Sequence, residues 1–460
     1  MIGRLSSPTL KFVQGLILMG LLFWIFIPTS AEAIPAFARK YDLSCGSCHT
    51  KPPRLNSFGE AFHMAGFHIP ATNEGEIRKK RQIGRVWSET DFLNIFSMRV
   101  VGNFVEAASN PSDLNLSSPQ EVELYLAGTL TQEISFFFTL GGETREIDGM
   151  GSTFKQESRF GLGREFFLMV NLQALLSEGS HGVHGTGSMR HGPMIMVGKI
   201  DPSTIFSYST NRQILGSATG RVASDAIQRL TLSPYAFAAK FSGIRTGNGD
   251  VIEATRGVLY NTEGDFGLDL HAMIGRWTFQ TGLMQGLEAG ATDVNAKKDP
   301  YLMVRRDFGE ARYYSGSLSG LIYQGNDTAR VDNTLIDWLR YGWAANIKYR
   351  YLDIYGAMIW DRLKDLPPAV LGTFDDTAFG ATVEADYLFT DRWLLSLRYD
   401  QMNTGGESSQ KANGAVLSAQ AKFYPRENIA FYLRESLNVG KDHVVQNFRT
   451  LTVLGVDLDF

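Results

Sequence analysis

The pentapeptide Cys45-Gly46-Ser47-Cys48-His49 holds the residues of this chain that are best suited to chemistry. Two thiols two residues apart, followed at once by an imidazole, form the Cys-x-x-Cys-His pattern that attaches a c-type haem. In that arrangement both thiols bond covalently to the porphyrin, and the histidine is placed to bind the iron axially. The motif therefore predicts one covalent haem c, held by Cys45 and Cys48, with His49 as the proximal iron ligand.

Two other uses of the motif are a redox-active dithiol and part of a zinc site. A redox dithiol requires a βαβ context, which the surrounding sequence lacks. A zinc site would have to take its remaining ligands from histidines, because Cys45 and Cys48 are the only 2 cysteines among the 460 residues. Both alternatives are therefore weaker than haem attachment.

The first 33 residues have the pattern of a signal peptide. Arg4 and Lys11 give a positive start, an apolar run extends from Val13 to Ile27, and Ala31-Glu32-Ala33 supplies small residues where a signal peptidase reads. We expect cleavage before Ile34. An uncleaved anchor is the alternative, but the run is short of the about 20 apolar residues that a spanning helix needs.

Composition and alternation favour β-strands in the rest of the chain. There are 47 glycines and 30 phenylalanines, yet the mean hydropathy is slightly negative, at −0.11. In the C-terminal half, apolar and polar residues alternate with a period of two. The clearest example has Trp393, Leu395, Leu397 and Tyr399 on one face and Ser396, Arg398 and Asp400 on the other. Such strands fit a sheet between lipid and a wet lumen.

Short connections alternate with long polar loops in the same region. Thr390-Asp391-Arg392 is short, whereas 325–337 and 403–412 are long. Outer-membrane barrels have short periplasmic turns and longer outer loops. The chain ends in Phe460, and a terminal aromatic residue on such a strand is similar to the assembly signal of bacterial barrel proteins. A soluble β-sandwich or propeller is the alternative, although we find no internal repeat typical of propeller blades.

These patterns predict an all-β transmembrane barrel of about 16 antiparallel up-and-down strands in the bacterial outer membrane. A small, mainly helical or irregular haem-binding segment precedes it. We expect the signal peptide at 1–33, the haem segment at 34–88 and the porin-like barrel at 89–460. Between Leu175 and Ser233 the pattern is weakest, with one strand-like run at Met194 to Ile200.

Charge favours an attraction between the two parts. Residues 34–90 carry 9 Lys/Arg against 5 Asp/Glu, a balance of +4. Since the whole chain is −4 and residues 1–33 are +1, residues 91–460 carry −9. A basic segment and an acidic barrel attract each other. The alternative is that both are solvated surfaces, and Arg78-Lys79-Lys80-Arg81 fits a solvated tether at the barrel mouth.

The mature N-terminus resembles the fused cytochrome–porin family of the outer membrane, whose best-known members oxidise ferrous iron. The resemblance is carried by Ile34–Tyr41, Cys45–His49 and Pro53–Phe62, while the barrel is similar only in class and size. It implies a single c-type haem in or beneath a porin-like barrel, passing electrons between the outside and the periplasm. A lone haem at the periplasmic mouth would be separated from an outside donor by the apolar band, which is about 25 Å tall. We therefore expect the segment to fold up into the lumen, with the haem edge toward the outer loops. The alternative is a segment that hangs in the periplasm, with iron diffusing to it through an open pore.

The resemblance makes His49 the proximal ligand and indicates no distal one. The chain offers His68, Met64 and His63, in that order of preference, and at most one of them binds the iron. In a helix His63 and Met64 point about 100° apart, so only one of the two can face the iron. A five-coordinate haem, with all three residues on the surface, is the alternative.

Three further histidines lie close together in a glycine-rich stretch. His181, His184 and His191 could bind Fe(II), Cu(II) or Zn(II). Glycine-rich loops are also simply flexible, and that interpretation is the preferred one.

The expected function is electron transfer, with possible Fe(II)-oxidising activity. Electrons would pass from an extracellular donor, Fe(II) being the best guess, to periplasmic c-type cytochromes or other soluble electron carriers. The alternatives are a diffusion porin whose haem segment is a plug or redox sensor, and electron export to an extracellular acceptor. Outer-membrane lipid is the remaining expected partner. No phosphate-binding loop, hydrolase nucleophile motif or basic-aromatic stripe for nucleic acid is found.

Overall fold

The fold was analysed in a computed structural model of the chain. The structure describes residues 35–41, 43–52, 54–69, 95–109, 113–115, 121–131, 133–147, 155–172, 175, 192–200, 265–285, 297–310, 314–328, 335–363, 377–403, 414–439 and 449–459. The predicted signal peptide, the basic run at 78–81, the histidines at 181, 184 and 191 and Phe460 lie outside these residues. Among the described residues, no helix has the length and apolar character needed to cross a membrane.

The N-terminal segment contains three short helices and a small hairpin. The helices are α1 (Pro35–Tyr41), α2 (Cys45–Cys48) and α3 (Ser57–Met64), and the two-stranded hairpin is formed by β1 (His49–Lys51) and β2 (Arg54–Leu55). We call residues 35–69 the plug segment.

The remaining strands form one closed antiparallel barrel. They are β3 (Phe96–Ser109), β4 (Asp113–Asn115), β5 (Glu121–Thr129), β6 (Ile134–Ile147), β7 (Lys155–Asn171), β8 (Met194–Ile200), β9 (Asp265–Ile274), β10 (Trp277–Met284), β11 (Asp299–Glu310), β12 (Tyr314–Thr328), β13 (Leu335–Tyr349), β14 (Leu352–Leu363), β15 (Thr377–Thr390), β16 (Trp393–Asn403), β17 (Gly414–Arg426), β18 (Ile429–Asn438) and β19 (Thr450–Asp459). Sixteen of them pair in chain order, and β19 closes the ring on β3. The short β4 runs beside β3 as an extra strand. The predicted number of strands and their antiparallel order are confirmed.

Apolar and polar side chains alternate along the strands, so the outer face of the barrel wall differs from the face toward the lumen. In β16, Leu395, Leu397 and Tyr399 are exposed on the outside. Ser396, Arg398 and Asp400 are buried on the lumen side. The period-two prediction is therefore confirmed at this strand, and the outer face is apolar as a lipid-facing surface must be.

Hairpin geometry distinguishes the two ends of the barrel. Residue 390 ends β15 and residue 393 begins β16, and tight connections of this kind join β9 to β10 and β13 to β14 at the same end. Exposed aromatic side chains surround this rim on the outside: Trp277, Tyr314, Tyr349, Tyr351, Phe389 and Trp393. Short turns are typical of the periplasmic rim, and aromatic girdles mark both membrane interfaces of such barrels. A closed barrel with this outer surface is a transmembrane barrel.

The plug segment lies inside the barrel, near the short-turn rim. Lys40 bonds Thr129 at the end of β5, Lys51 bonds the carbonyl of Asp391 in the β15–β16 turn, and Tyr424 on β17 bonds the carbonyl of Pro52. These contacts come from different sides of the wall, so the segment spans the lumen. It lies in the lumen, as expected, but it contacts the rim of the short turns rather than reaching toward the outer loops.

Candidate haem site

The Cys-x-x-Cys-His motif is built as one helical turn followed by an extended residue. Cys45 and Cys48 are the first and last residues of α2, and His49 begins β1 with φ −119° and ψ 143°. Residues three apart in a helix lie on the same face, so both thiols project from one side of the turn. Cys45 and His49 are buried.

Asn56 holds this turn in place. Its side chain accepts a hydrogen bond from the amide of Gly59 at 2.9 Å, which caps the N-terminus of α3. The same side chain donates to the carbonyls of Gly46 at 3.1 Å and Ser47 at 3.0 Å. One residue therefore ties the Cys45–Cys48 turn to the following helix.

Gly59 brings α3 against the same turn at very close range. A Cβ at this position would lie 2.1 Å from the carbonyl oxygen of Cys48. No side chain fits in that space, so the close approach of α3 to the motif requires glycine here.

Aromatic rings surround the helices of the plug segment. Phe37 stacks on Phe67 at 4.9 Å between ring centroids and meets Phe62 edge-on at 5.2 Å. Phe58 stacks on Phe62 at 6.3 Å. Such rings supply the apolar surroundings in which a porphyrin binds.

The chemistry of the two thiols fits covalent haem attachment better than a redox dithiol. The cysteines form no disulfide, although only two residues separate them in one turn. Burial raises the pKa of the Cys48 thiol to about 11. Redox-active dithiols instead have a lowered thiol pKa. Both cysteines on one face, an adjacent buried imidazole and an aromatic surround fit the group that the motif predicts.

The three distal candidates lie at the end of α3 and just beyond it. The His63 ring lies 5.5 Å from that of Phe67 and 6.3 Å from that of Phe167 on β7. Met64 is buried, and His68 follows the turn at Gly66. His63 and Met64 therefore lie just before this turn, and His68 lies just after it.

A cluster of buried charges fixes the plug segment to one side of the lumen. Arg54 is fully buried and bonds Asp353 of β14 through two nitrogens, at 2.8 and 3.0 Å. Glu384 and Asp386 of β15 lie 3.6 and 3.7 Å from the same guanidinium. Bidentate pairing of this kind fixes orientation as well as distance. We call Asp353, Glu384 and Asp386 the charged wall.

Glu60 makes a contact of the opposite polarity, with an acid on the plug segment and bases on the barrel. The carboxylate of Glu60 accepts a hydrogen bond from Arg305 of β11 and lies 4.0 Å from Lys348 of β13. Lys348 also donates to the carbonyl of Leu55 at 3.0 Å. Each buried charge of the segment thus meets an opposite charge on the barrel.

On the opposite side of the lumen, the plug segment packs mainly against apolar side chains. Phe67 lies 5.7 Å from Phe137 of β6, which stacks on Phe167 of β7 at 5.4 Å. A Cβ at Gly66 would lie 2.6 Å from the hydroxyl oxygen of Ser135 on β6, 3.0 Å from Met194 of β8 and 3.6 Å from Met169 of β7. We call Phe137, Phe167, Met169 and Met194 the apolar wall.

The sequence analysis missed Arg54, Asn56 and Gly59 as organising residues. An Asn directly before a helical stretch is a capping signal that could have identified Asn56. Arg54 gave no such signal, because its partner Asp353 is 299 residues away in the sequence.

No family model matches the sequence, and no curated protein matches it. Solved structures with a similar fold include OmpF of Salmonella typhi in complex with daunomycin, at 10% identity and TM-score 0.46 over 79% of this chain and 97% of that one. An anion-selective porin from Comamonas acidovorans has 15% identity and TM-score 0.46, covering 79% of this chain and 98% of its own. OmpT of Vibrio cholerae has 10% identity and TM-score 0.42, covering 80% and 96%.

The closed ring of strands and its apolar outer surface define the class: this chain is a porin-like β-barrel of the bacterial outer membrane. A folded N-terminal segment occupies its lumen near the short-turn rim.

Proposed function

We propose that this chain is an outer-membrane electron-transfer protein of the fused cytochrome–porin kind, with one covalent haem c in the plug segment. The observation that carries the proposal is the Cys45–His49 turn, which is braced by Asn56 and Gly59 inside the lumen. A porin without a cofactor has no need of such a turn.

Each residue of the site has a role in this proposal. Cys45 and Cys48 would form the two thioether bonds, and His49 would bind the iron on its proximal side. His63, Met64 or His68 would supply at most one distal ligand. When bound, the haem supplies reversible one-electron exchange between ferrous and ferric iron.

The position of the plug segment bears on the donor. The apolar band of such barrels is about 25 Å tall, and the segment lies near the inner rim. A donor outside the cell must therefore be small enough to enter the lumen from the loop end. The net charge of −9 on residues 91–460 attracts cations. Both arguments favour Fe(II) as the donor and periplasmic cytochromes as the acceptors.

A porin with a haem-containing plug is the second candidate function. The barrel fold fits this alternative more directly, because the fold is that of a pore and electron transfer is a property of the plug segment alone. Outward electron flow to an extracellular acceptor would use the same residues, and the midpoint potential with the available partners would set its direction.

The test is to add Fe(II) to oxidised protein in outer-membrane preparations and to follow the haem absorption bands. We expect covalent haem on a denaturing gel and reduction of the bands. The matched control is the Cys45→Ala/Cys48→Ala double variant, which should lose covalent haem. Haem that stays oxidised with Fe(II), together with ion conductance in planar bilayers, would favour the plugged porin. Haem staining that persists in the double variant would overturn the site assignment.

A further inference from the structure

The barrel wall contains a buried hydrogen-bonded network that ends on the plug segment. His271 on β9 is buried, and its Nε2 lies 3.1 Å from the carbonyl oxygen of Met64. A carbonyl can only accept, so Nε2 donates. Met64 is the last residue of α3, and the last carbonyls of a helix have no partner within it. The barrel therefore supplies the hydrogen bond that this helix end needs.

Asp269 and Tyr301 hold His271 in position. Nδ1 of His271 lies 2.7 Å from one carboxylate oxygen of Asp269, and the hydroxyl of Tyr301 donates to the other. Gln280 donates to the Tyr301 oxygen at 3.3 Å. These residues come from the adjacent strands β9, β10 and β11 and are all buried.

Gly282 on the middle strand makes the network possible. It pairs with Asp269 on one side and with Tyr301 on the other. A Cβ here would lie 2.6 Å from the Tyr301 ring, so the absence of a side chain lets the ring lie over β10 on its way to Asp269. Glycine at position 282 thus leaves the space that the hydrogen bond from Tyr301 to Asp269 requires.

The turn beyond Met64 needs to be held from outside. Gly66 and Phe67 both have positive φ, at 66° and 62°. A positive φ is strained for a phenylalanine and persists only where the surroundings enforce it. The barrel contacts this turn through the apolar wall and, at the carbonyl of Met64, through a hydrogen bond from His271.

We propose that His271 is a positioning residue for the haem segment. Through Met64 it fixes the end of α3, and Asp269 and Tyr301 fix His271 in turn. The inference rests on the proposed function, since it makes a residue of the barrel a determinant of the haem's properties. The axial ligand and its surroundings set the potential of a haem, so a shifted turn changes both potential and spectrum.

The experiment compares full-length His271→Ala, Tyr301→Phe and Tyr323→Phe with the wild type. Tyr323 is the matched control, because it lies on β12, stacks on Tyr301 at 6.1 Å and donates to Asp299 rather than Asp269. We expect covalent haem in wild-type amounts in all three. The midpoint potential and ferric spectrum should shift most in His271→Ala, less in Tyr301→Phe and not in Tyr323→Phe. His271→Gln, which keeps a donor, should restore part of the wild-type potential.

An unchanged potential and spectrum in His271→Ala would overturn the inference. If that variant fails to assemble, Tyr301→Phe decides, since it removes a single oxygen: a shift supports the positioning role and no shift rejects it. A wild-type chain without covalent haem would instead overturn the proposed function.

A second measurement does not require haem. In a chain with Cys45→Ser and Cys48→Ser, Ile69→Cys is labelled with a maleimide, with and without His271→Ala. Faster labelling in the His271→Ala chain supports the wall contact, and equal rates reject it.

Discussion

The charged wall and the apolar wall hold the same plug segment by different physical means. They lie half a circumference apart, since β7 and β15 face each other across the ring. On the charged wall a single guanidinium meets three carboxylates. On the apolar wall, rings and methionines contact Gly66 and Phe67 over a broad surface.

The two walls differ in how strongly docking of the plug segment weakens when a side chain is removed. Removing one partner of a buried ion pair strongly destabilises the docked state, because the remaining charges stay buried without a counter-charge. An apolar contact weakens in proportion to the area and the ring pairs that are lost. The charged wall therefore fixes the register of the segment, whereas the apolar wall adjusts the packing of the turn that holds the distal candidates.

Arg54→Ala should have the largest effect. It leaves Asp353, Glu384 and Asp386 buried without their guanidinium, which should weaken docking of the segment by about 3–5 kcal/mol. We expect higher conductance in planar bilayers and faster proteolysis of the segment. Lys51→Ala is the control, because Lys51 is partly exposed and bonds a turn carbonyl at the rim. Wild-type conductance in Arg54→Ala would show that the charged wall is not the anchor.

Gly59→Ala should come next. The added Cβ would meet the Cys48 carbonyl oxygen at 2.1 Å, and overpacking of this kind costs about 1–3 kcal/mol. Less haem should be attached, measured as haem staining per mole of protein. Gly46→Ala serves as the comparison, because the nearest atom to its Cβ is Ser44 Oγ at 3.9 Å. Equal losses in the two variants would argue against the close approach of α3.

Phe137→Leu tests the apolar wall. It keeps an apolar side chain but loses the ring pairs with Phe67 and Phe167, worth roughly 1–2 kcal/mol together. The urea concentration that releases the segment should fall modestly. Phe138→Leu changes the neighbouring ring, which faces the outer side of β6 and pairs with Phe166. A larger effect of Phe138→Leu on release would contradict the proposed contact.

Asn56→Ala should have the smallest effect of the four. Loss of the N-cap costs about 1 kcal/mol, and the bonds to the carbonyls of Gly46 and Ser47 are lost with it. The expected result is a lower thermal midpoint of the haem absorption bands. Ser57→Ala changes the exposed neighbouring residue and should leave that midpoint unchanged.

Much of the barrel could be predicted from the sequence, because alternation with a period of two is a local property. The hairpin at Thr390–Trp393 and the strand Met194–Ile200 were both found in this way. The length of the chain after residue 88 then predicted the number of strands. The attraction of a basic segment to an acidic barrel stays a prediction, because Arg54 meets carboxylates of the barrel whereas Glu60 meets Arg305 and Lys348.

The site was only partly predictable. The motif at Cys45–His49 is contiguous and therefore visible in the sequence. Arg54 and His271 act through partners that are hundreds of residues away or on neighbouring strands, and no local pattern indicates such pairs. The placement of the plug segment near the short-turn rim likewise depends on contacts with many strands at once.

The contacts of the plug segment around the lumen have a consequence for permeability. A barrel of 16 strands normally encloses an aqueous channel. With the segment docked, solutes that enter from the loop end meet a folded domain at the inner rim. The leak through each copy of the protein is then set by the fraction of time that its plug segment is undocked.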